Sequence, residues 1–293
     1  MEQVWVTNHL ASCCHAAEGL ARGLPLADSR LGERFVAAAQ SLQHEILTLR
    51  LPSSAFWSNL LAHAHQMDDR RSLVRTALRK TIGIESTSET SIDSLAGCLR
   101  EVDAAARQAL PQMLDDLEHR VRPLQAHWEA RGPGLLHAIG RLTDQRLLAE
   151  HASVVAVHPA FGGGGSASLA TNTVRIEALL TNVVDGVPEV VRLGWLLAQV
   201  NHELPIFSDR VHGSRLPLIA QLAMLPATLQ ASETVELSQL SPFTMAAALS
   251  AWQIQVAADN DIEATLLDWW HTYLDTRPAW DIALAALDQM IGD

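Results

Sequence analysis

Residues 152–203 are the part of this 293-residue chain that most restricts its fold. A β-branched run near 152–158 predicts a strand that ends at a proline. Four consecutive glycines, 162–165, predict a turn, because glycine tolerates positive φ and a close backbone approach. Residues 171–180 alternate between apolar and polar side chains, which predicts a second strand. The segment therefore predicts a small β element within a chain that otherwise has helical patterns.

An amphipathic helix is predicted directly after this β element. Pro188 lies near the first turn, where a missing N–H costs little, and Glu189 suits the positive end of the helix dipole. The helix is expected to run to about Asn201, and Pro205 ends it. Four further helices are predicted downstream, over residues 216–231, 242–258, 261–274 and 278–291.

The first 125 residues have the composition and periodicity of packed helices. Apolar residues within 31–49 recur at steps of three and four, which indicates one buried helical stripe. Pro123 predicts the start or a kink of a helix, and the segment 128–134, with its Gly-Pro-Gly end, predicts a break between helices. We therefore predict a mainly α (α+β) protein. Its helical domain spans 1–125, and its domain over 126–293 combines further helices with a small β-hairpin or sheet.

The charge of the chain excludes some classes of partner. The net charge is −12, and residues 151–293 carry 5 bases against 15 acids. Such a surface repels phosphate backbones, so no nucleic-acid partner is predicted. The sequence contains no apolar run long enough to span a bilayer, so no membrane partner is predicted either. The N-terminus lacks a basic region followed by an apolar one, and we expect a cytoplasmic location.

Three cysteines, at 13, 14 and 98, fit a reducing compartment and imply no disulfide framework. The run Cys13-Cys14-His15 is similar to a metal-binding tag, but it lacks a second ligand cluster at zinc-finger spacing. We interpret these residues as small side chains on a helix face. No metal ligand and no cofactor is predicted.

The order of strand, glycine turn, strand and helix over 153–203 resembles the core of zincin metallopeptidases. The HExxH motif of those enzymes, which holds zinc and supplies a general base, is absent from this chain. When the motif is laid over 194–198, its three functional positions are Gly194, Trp195 and Ala198, which neither bind zinc nor accept a proton. The resemblance thus implies a catalytically inactive scaffold with strand 171–180 as an exposed peptide-docking edge.

Five polar or aromatic residues of this core are the candidate binding residues: Arg175, Glu177, Glu189, Arg192 and Trp195. Arg175 and Glu177 share a face of the second strand, because side chains alternate along a strand. Glu189 and Arg192 are three residues apart on the helix and can form an ion pair. A structural role for these pairs is the competing interpretation, and no catalytic residue is predicted.

Three hypotheses about function follow. The preferred one is a non-catalytic protein-interaction or regulatory module with a protein or peptide partner. The second is a metal-dependent hydrolase whose ligands come from dispersed positions such as His151, His158 and His202. The third is a structural helical adaptor that dimerises through its N-terminal helices.

Overall fold

The computed structural model describes residues 1–254, 256 and 261–292. Within them the fold is mainly helical with a small mixed four-stranded sheet, which confirms the predicted fold class. The strands are β1 (Glu2–Thr7), β2 (His151–Val157), β3 (Gly165–Ser168) and β4 (Thr173–Glu177). The helices are α1 (His9–Ala21), α2 (Gly32–Thr48), α3 (Ser53–His63), α4 (Arg70–Ile82), α5 (Glu89–Ala109), α6 (Met113–Leu142), α7 (Glu189–Leu197), α8 (Pro205–Ser208), α9 (Leu216–Thr234), α10 (Pro242–Ala251), α11 (Ile262–Thr276) and α12 (Trp280–Ile291).

The elements predicted around the glycine run are present. The strands expected near 152–158 and 171–180 are β2 and β4, and the helix expected after Pro188 is α7. The four helices predicted downstream correspond to α9 to α12. The helix predicted over 242–258 ends at Ala251, while positions 255, 257 and 258 of that prediction lie outside the described residues.

The sheet has the strand order β1-β2-β4-β3, and this order corrects the prediction of the docking edge. Strand β4, within the predicted edge 171–180, lies between β2 and β3, and all five of its residues are buried. The edge is β3, a four-residue strand that pairs antiparallel with β4. The prediction failed because β3 is a Gly-Ser-Ala-Ser segment without β-branched residues, so its strand conformation comes from pairing and not from local preference.

Helix α6 also differs from the sequence prediction. It continues through Pro123, so no helix starts there, and through Pro133, which lies inside the break expected over 128–134. The helix buries Leu124, Trp128 and other apolar residues, and this burial offsets the hydrogen bonds that the prolines lack. Gly132 serves this packing, because a Cβ atom there would lie 2.3 Å from the Trp128 ring.

The chain divides into two compact units. The N-terminal unit comprises Trp5–Arg120 and Val155–Gly162. The C-terminal unit comprises Met1–Val4, Val121–Val154 and Gly163–Asp293. The predicted division at 125 placed the first four residues and 155–162 differently, and it falls inside α6.

The N-terminal unit is built on α1 to α5. Helix α2 packs on α5, α3 packs on α4, and α1 contacts α2, α3 and α5. The predicted stripe of α2 is buried at Phe35, Leu42 and Ile46. Ser88 caps α5 by accepting a hydrogen bond from the Ser91 backbone N–H at 3.1 Å.

The C-terminal unit is organised around α7, every residue of which is buried. Strands β3 and β4 contact α7, and α9 packs against α7, α10, α11 and α12. Among the residues that the structure describes, no helix has both the length and the apolar character that a membrane crossing requires. Helix α7 is therefore at the centre of this unit, beside the strands that carry the other predicted site residues.

Candidate functional site: a buried lock around the glycine turn

The guanidinium of Arg192 on α7 holds the glycine turn that precedes β3. Its Nη1 donates hydrogen bonds to the carbonyl oxygens of Gly163 and Gly164 at 2.5 and 2.8 Å, and its Nη2 donates to the Glu177 carbonyl at 2.8 Å. Nη2 also donates to the carboxylate of Glu189, which forms the ion pair that the three-residue spacing predicts. Arg192 is only 1% exposed, so these contacts lie in a dry interior where they are strong.

The carboxylate of Glu177 completes this arrangement from the end of β4. One of its oxygens accepts hydrogen bonds from the backbone N–H groups of Gly163 and Gly164, at 2.7 and 3.1 Å. Glu177 is fully buried. Two adjacent glycines therefore have both N–H and C=O groups bound by side chains of β4 and α7. We call the set Gly163, Gly164, Glu177, Glu189 and Arg192 the glycine lock.

Two of the five predicted site residues lie outside the glycine lock. Arg175 is buried on β4, where it pairs in register with Ser166 of β3. Trp195 packs its ring 5.0 Å from that of Trp252, and its Nε1–H donates to the carbonyl of Gln221 at 2.9 Å. The structure thus brings Glu177, Glu189 and Arg192 together at the glycine turn.

The glycine lock positions backbone and leaves little for chemistry. The two terminal nitrogens of the guanidinium are occupied by three carbonyls and the Glu189 carboxylate. The positions laid over the zincin motif are filled by packing, since a Cβ at Gly194 would lie 2.6 Å from Leu135. Ala198 is fully buried as well. This arrangement holds a turn and the start of an edge strand.

The three histidines of the hydrolase hypothesis have other partners. His151 is exposed and lies 3.1 Å from the Glu2 carboxylate. His158 of the N-terminal unit places Nε2 2.8 Å from Asp28. His202 is fully buried, and its Nδ1 contacts the Gln199 carbonyl at 3.0 Å. Its Nε2 accepts a hydrogen bond from the indole N–H of Trp280 at 3.1 Å. Both ring nitrogens of His202 are therefore used, Nδ1 as the donor and Nε2 as the acceptor, and no lone pair is left for a metal.

The buried His202 predicts a pH dependence of stability. Burial lowers the pKa of His202 from its ordinary value of 6.5 to about 4. The unfolded chain binds a proton at this residue below pH 6.5, whereas the folded chain does so only near pH 4. Neutral His202 therefore contributes about 3 kcal/mol to the free energy of unfolding. This contribution is complete above pH 6.5 and is lost as the pH falls to 4. Urea unfolding at pH 7 and pH 4 measures this loss.

Replacement by glutamine isolates the effect of His202, because glutamine keeps a donor and an acceptor and does not titrate here. We expect His202→Gln to lose about 3 kcal/mol less stability than the wild type between pH 7 and pH 4. His151→Gln, at an exposed position, serves as the control and should behave as the wild type. Equal losses in His202→Gln and the wild type would contradict the assignment.

A second cluster of chemical groups lies in the N-terminal unit. His9 and Cys13 of α1 place Nδ1 and Sγ 3.4 Å apart, and His9 Nδ1 lies 3.0 Å from Oδ1 of Asp103 on α5. The other carboxylate oxygen, Oδ2, accepts hydrogen bonds from Arg70 at 2.7 Å and from Arg107 at 3.2 Å. Burial raises the pKa of Cys13, with Cys14 and Asp103 adding to the rise. We call His9, Cys13 and Asp103 the His-Cys-Asp cluster.

The carboxylate of this cluster is ionised in spite of its position. Burial alone would raise the pKa of Asp103, but contacts with His9, Arg107 and Arg70 outweigh burial and hold that pKa well below its ordinary range. The cluster is not predicted from the sequence, because the run Cys13-Cys14-His15 by itself indicates only small side chains on a helix face. Two signals were present: the one-turn spacing of His9 and Cys13, and an acid within the apolar stripe of α5.

Comparisons of the chain with protein-family models, with curated proteins and with solved structures find no match. Its function therefore has to be inferred from the geometry of its own residues.

Proposed function

We propose that this chain is a non-catalytic protein-interaction module that binds an extended peptide along the outer edge of β3. The observation that carries the proposal is the position of β3 at the end of the sheet, with no described strand beyond it. An edge strand offers unpaired N–H and C=O groups to which an extended peptide adds as a further strand.

The hydrogen-bond pattern identifies the outward groups of β3. The Glu177 N–H donates to the Gly164 carbonyl at 3.1 Å, so these two residues form a hydrogen-bonded pair of the antiparallel ladder. Such pairs alternate along the ladder, which makes Gly165↔Ile176 and Ala167↔Val174 non-hydrogen-bonded pairs. The backbone groups of Gly165 and Ala167 therefore point away from β4, toward the outer edge.

The glycine lock supports this proposal because it pre-organises the edge. Arg192 and Glu177 bind the backbone immediately before Gly165, so the start of β3 is held by buried charged groups. A rigid edge loses less conformational entropy when a peptide binds. The surplus of acids over bases in residues 151–293 favours a partner peptide that carries lysine or arginine.

The same segment resembles the zincin core, in which a strand edge and the helix beside it hold the substrate. The order of β3, β4 and α7 is compatible with such a scaffold, and the residues at positions 194, 195 and 198 supply no zinc ligand. We therefore propose an inactive scaffold that keeps a peptide-binding edge. A cytoplasmic location remains a prediction from the sequence.

A proline at position 167 tests the edge directly. Random extended peptides displayed on phage would be selected on the full chain, and the dissociation constant of the best binder measured by fluorescence anisotropy. Because the Ala167 N–H faces away from β4, Ala167→Pro removes an outward donor and keeps the ladder to β4. We expect it to weaken binding about tenfold or more, the equivalent of one lost hydrogen bond.

The matched control is Ala167→Ser, which keeps the N–H and should bind as the wild type does. Circular dichroism would establish that both variants are folded. Equal affinity of the proline variant and the wild type, or the selection of no binder at all, would count against the β3 edge as the binding surface.

A further inference from the structure

We propose that the His-Cys-Asp cluster of the N-terminal unit is a zinc site, in which His9 Nδ1, Cys13 Sγ and Asp103 Oδ1 are the ligand atoms. The three atoms lie within 4.8 Å of one another. They present one nitrogen, one sulfur and one oxygen, the mixed ligand set that suits Zn²⁺ among divalent ions. This inference is independent of the peptide-binding edge, which belongs to the C-terminal unit.

The two separations that involve His9 are close to those that a tetrahedral zinc ion requires. Zinc bonds of about 2.0 Å to nitrogen and oxygen and about 2.3 Å to sulfur place the nitrogen about 3.5 Å from the sulfur and about 3.3 Å from the oxygen. The observed separations are 3.4 Å from His9 Nδ1 to Cys13 Sγ and 3.0 Å from His9 Nδ1 to Asp103 Oδ1. The third separation, from Cys13 Sγ to Asp103 Oδ1, is at most 4.8 Å against the roughly 3.5 Å of a tetrahedral site, so a movement of about 1 Å or less brings all three atoms onto one ion.

Two helices position the ligands. His9 and Cys13 are four residues apart on α1 and therefore project from the same face. Asp103 reaches them from α5, which contacts α1. Arg70 and Arg107 hold its Oδ2 and thereby direct Oδ1 toward the other two ligand atoms, as residues around a metal site orient its ligands.

The carboxylate supplies a second, independent sign of a ligand. Asp103 is 8% exposed, and the described residues offer its Oδ1 only the ion-pair contact with His9 Nδ1 at 3.0 Å, whose geometry is not that of a hydrogen bond. A buried carboxylate oxygen that is not hydrogen-bonded is costly. Cation binding at this oxygen would remove that cost, and the two guanidinium groups balance the charges of the thiolate and the carboxylate.

Two of the three buried ligands keep a small exposed area, which gives a metal a route of entry. The side chains of His9 and Asp103 are 9% and 11% exposed, whereas Cys13 is 1% exposed. His9 is also the first residue of α1. Three protein ligands leave a fourth tetrahedral position for water.

Cobalt is the probe that reports the ligands. The full chain, kept reduced and stripped of metal with a chelator, would be titrated with Co²⁺ and then with Zn²⁺. We expect one Co²⁺ per chain, an absorption band from thiolate-to-cobalt charge transfer, and displacement of the cobalt by zinc. No stoichiometric binding, or binding without that band, would overturn the proposal and leave a buried ion pair only.

Variants assign the band to its ligands. Cys13→Ala should abolish the charge-transfer band and weaken Zn²⁺ binding by about 100-fold or more. Cys14→Ala and Cys98→Ala are matched controls that should keep both properties. His9→Gln, which retains Cys13, should weaken binding to a similar extent and tests the site if Cys13→Ala does not fold. A band that persists in Cys13→Ala, or that disappears in Cys98→Ala, would contradict the assignment.

Discussion

Replacing Arg192 with methionine is expected to lower the free energy of unfolding by about 3–5 kcal/mol, the usual cost of removing one partner of a buried ion pair. The substitution leaves the carboxylate of Glu189 without its cation and deprives the carbonyls of Gly163, Gly164 and Glu177 of their donors. Each of these buried groups then carries its own desolvation cost. Methionine fills much of the volume of the arginine side chain, so the loss of stability reports the missing polar contacts and not a cavity.

Urea unfolding followed by tryptophan fluorescence measures this effect, because six of the eight tryptophans belong to the C-terminal unit. Arg210→Met is the matched control. Arg210 pairs with Asp281 at 2.6 Å, but its side chain is 58% exposed, and loss of such a pair costs at most about 1 kcal/mol. If Arg192→Met and Arg210→Met lost equal stability, the glycine lock would not stabilise the unit as inferred.

Gly163→Ala is expected to destabilise the C-terminal unit by roughly 2–4 kcal/mol, from backbone strain and overpacking together. Gly163 has φ +153°, a conformation that residues with side chains rarely adopt. A Cβ atom there would lie 2.4 Å from the carbonyl oxygen of Ala251. Because that atom belongs to the backbone, it yields less easily than a flexible side chain would.

Gly186→Ala separates the two contributions. Gly186 also has a positive φ, +72°, but a Cβ atom at this position has nothing within 4 Å. This variant therefore carries only the conformational cost of about 1–2 kcal/mol. The same urea measurement applies to both variants. A Gly163→Ala protein no less stable than Gly186→Ala would show that the turn moves freely, against the rigid edge proposed for β3.

The candidate site could be predicted from the sequence where its contacts are local. The Glu189–Arg192 pair follows from a three-residue spacing on one helix, and this pair is present. The contacts of Glu177 and Arg192 with the glycine turn could not be predicted. They join residues from 13 to 29 positions apart, and no local pattern indicates which backbone groups a buried side chain will bind.

The His-Cys-Asp cluster illustrates the same limit over a longer separation. His9 and Cys13 share a face because of helical geometry, which the sequence contains. Asp103 joins them only because α5 packs beside α1, and that packing is decided by the apolar stripes of several helices together. An acid in an apolar stripe is visible in the sequence, whereas its partner is not.

The amino-acid sequence by itself determined the helices of both halves and the strands β2 and β4, since local periodicity and the β-branched run specify them. Tertiary structure decided the rest. It made β3 a strand, because a four-residue segment without β-branched residues becomes a strand only when a neighbour completes its hydrogen bonds. The helical prediction for residues 1–125 missed β1, although its run over residues 4–7 favours a strand. Tertiary structure also kept α6 continuous through two prolines, because buried side chains such as Trp128 offset the missing hydrogen bonds.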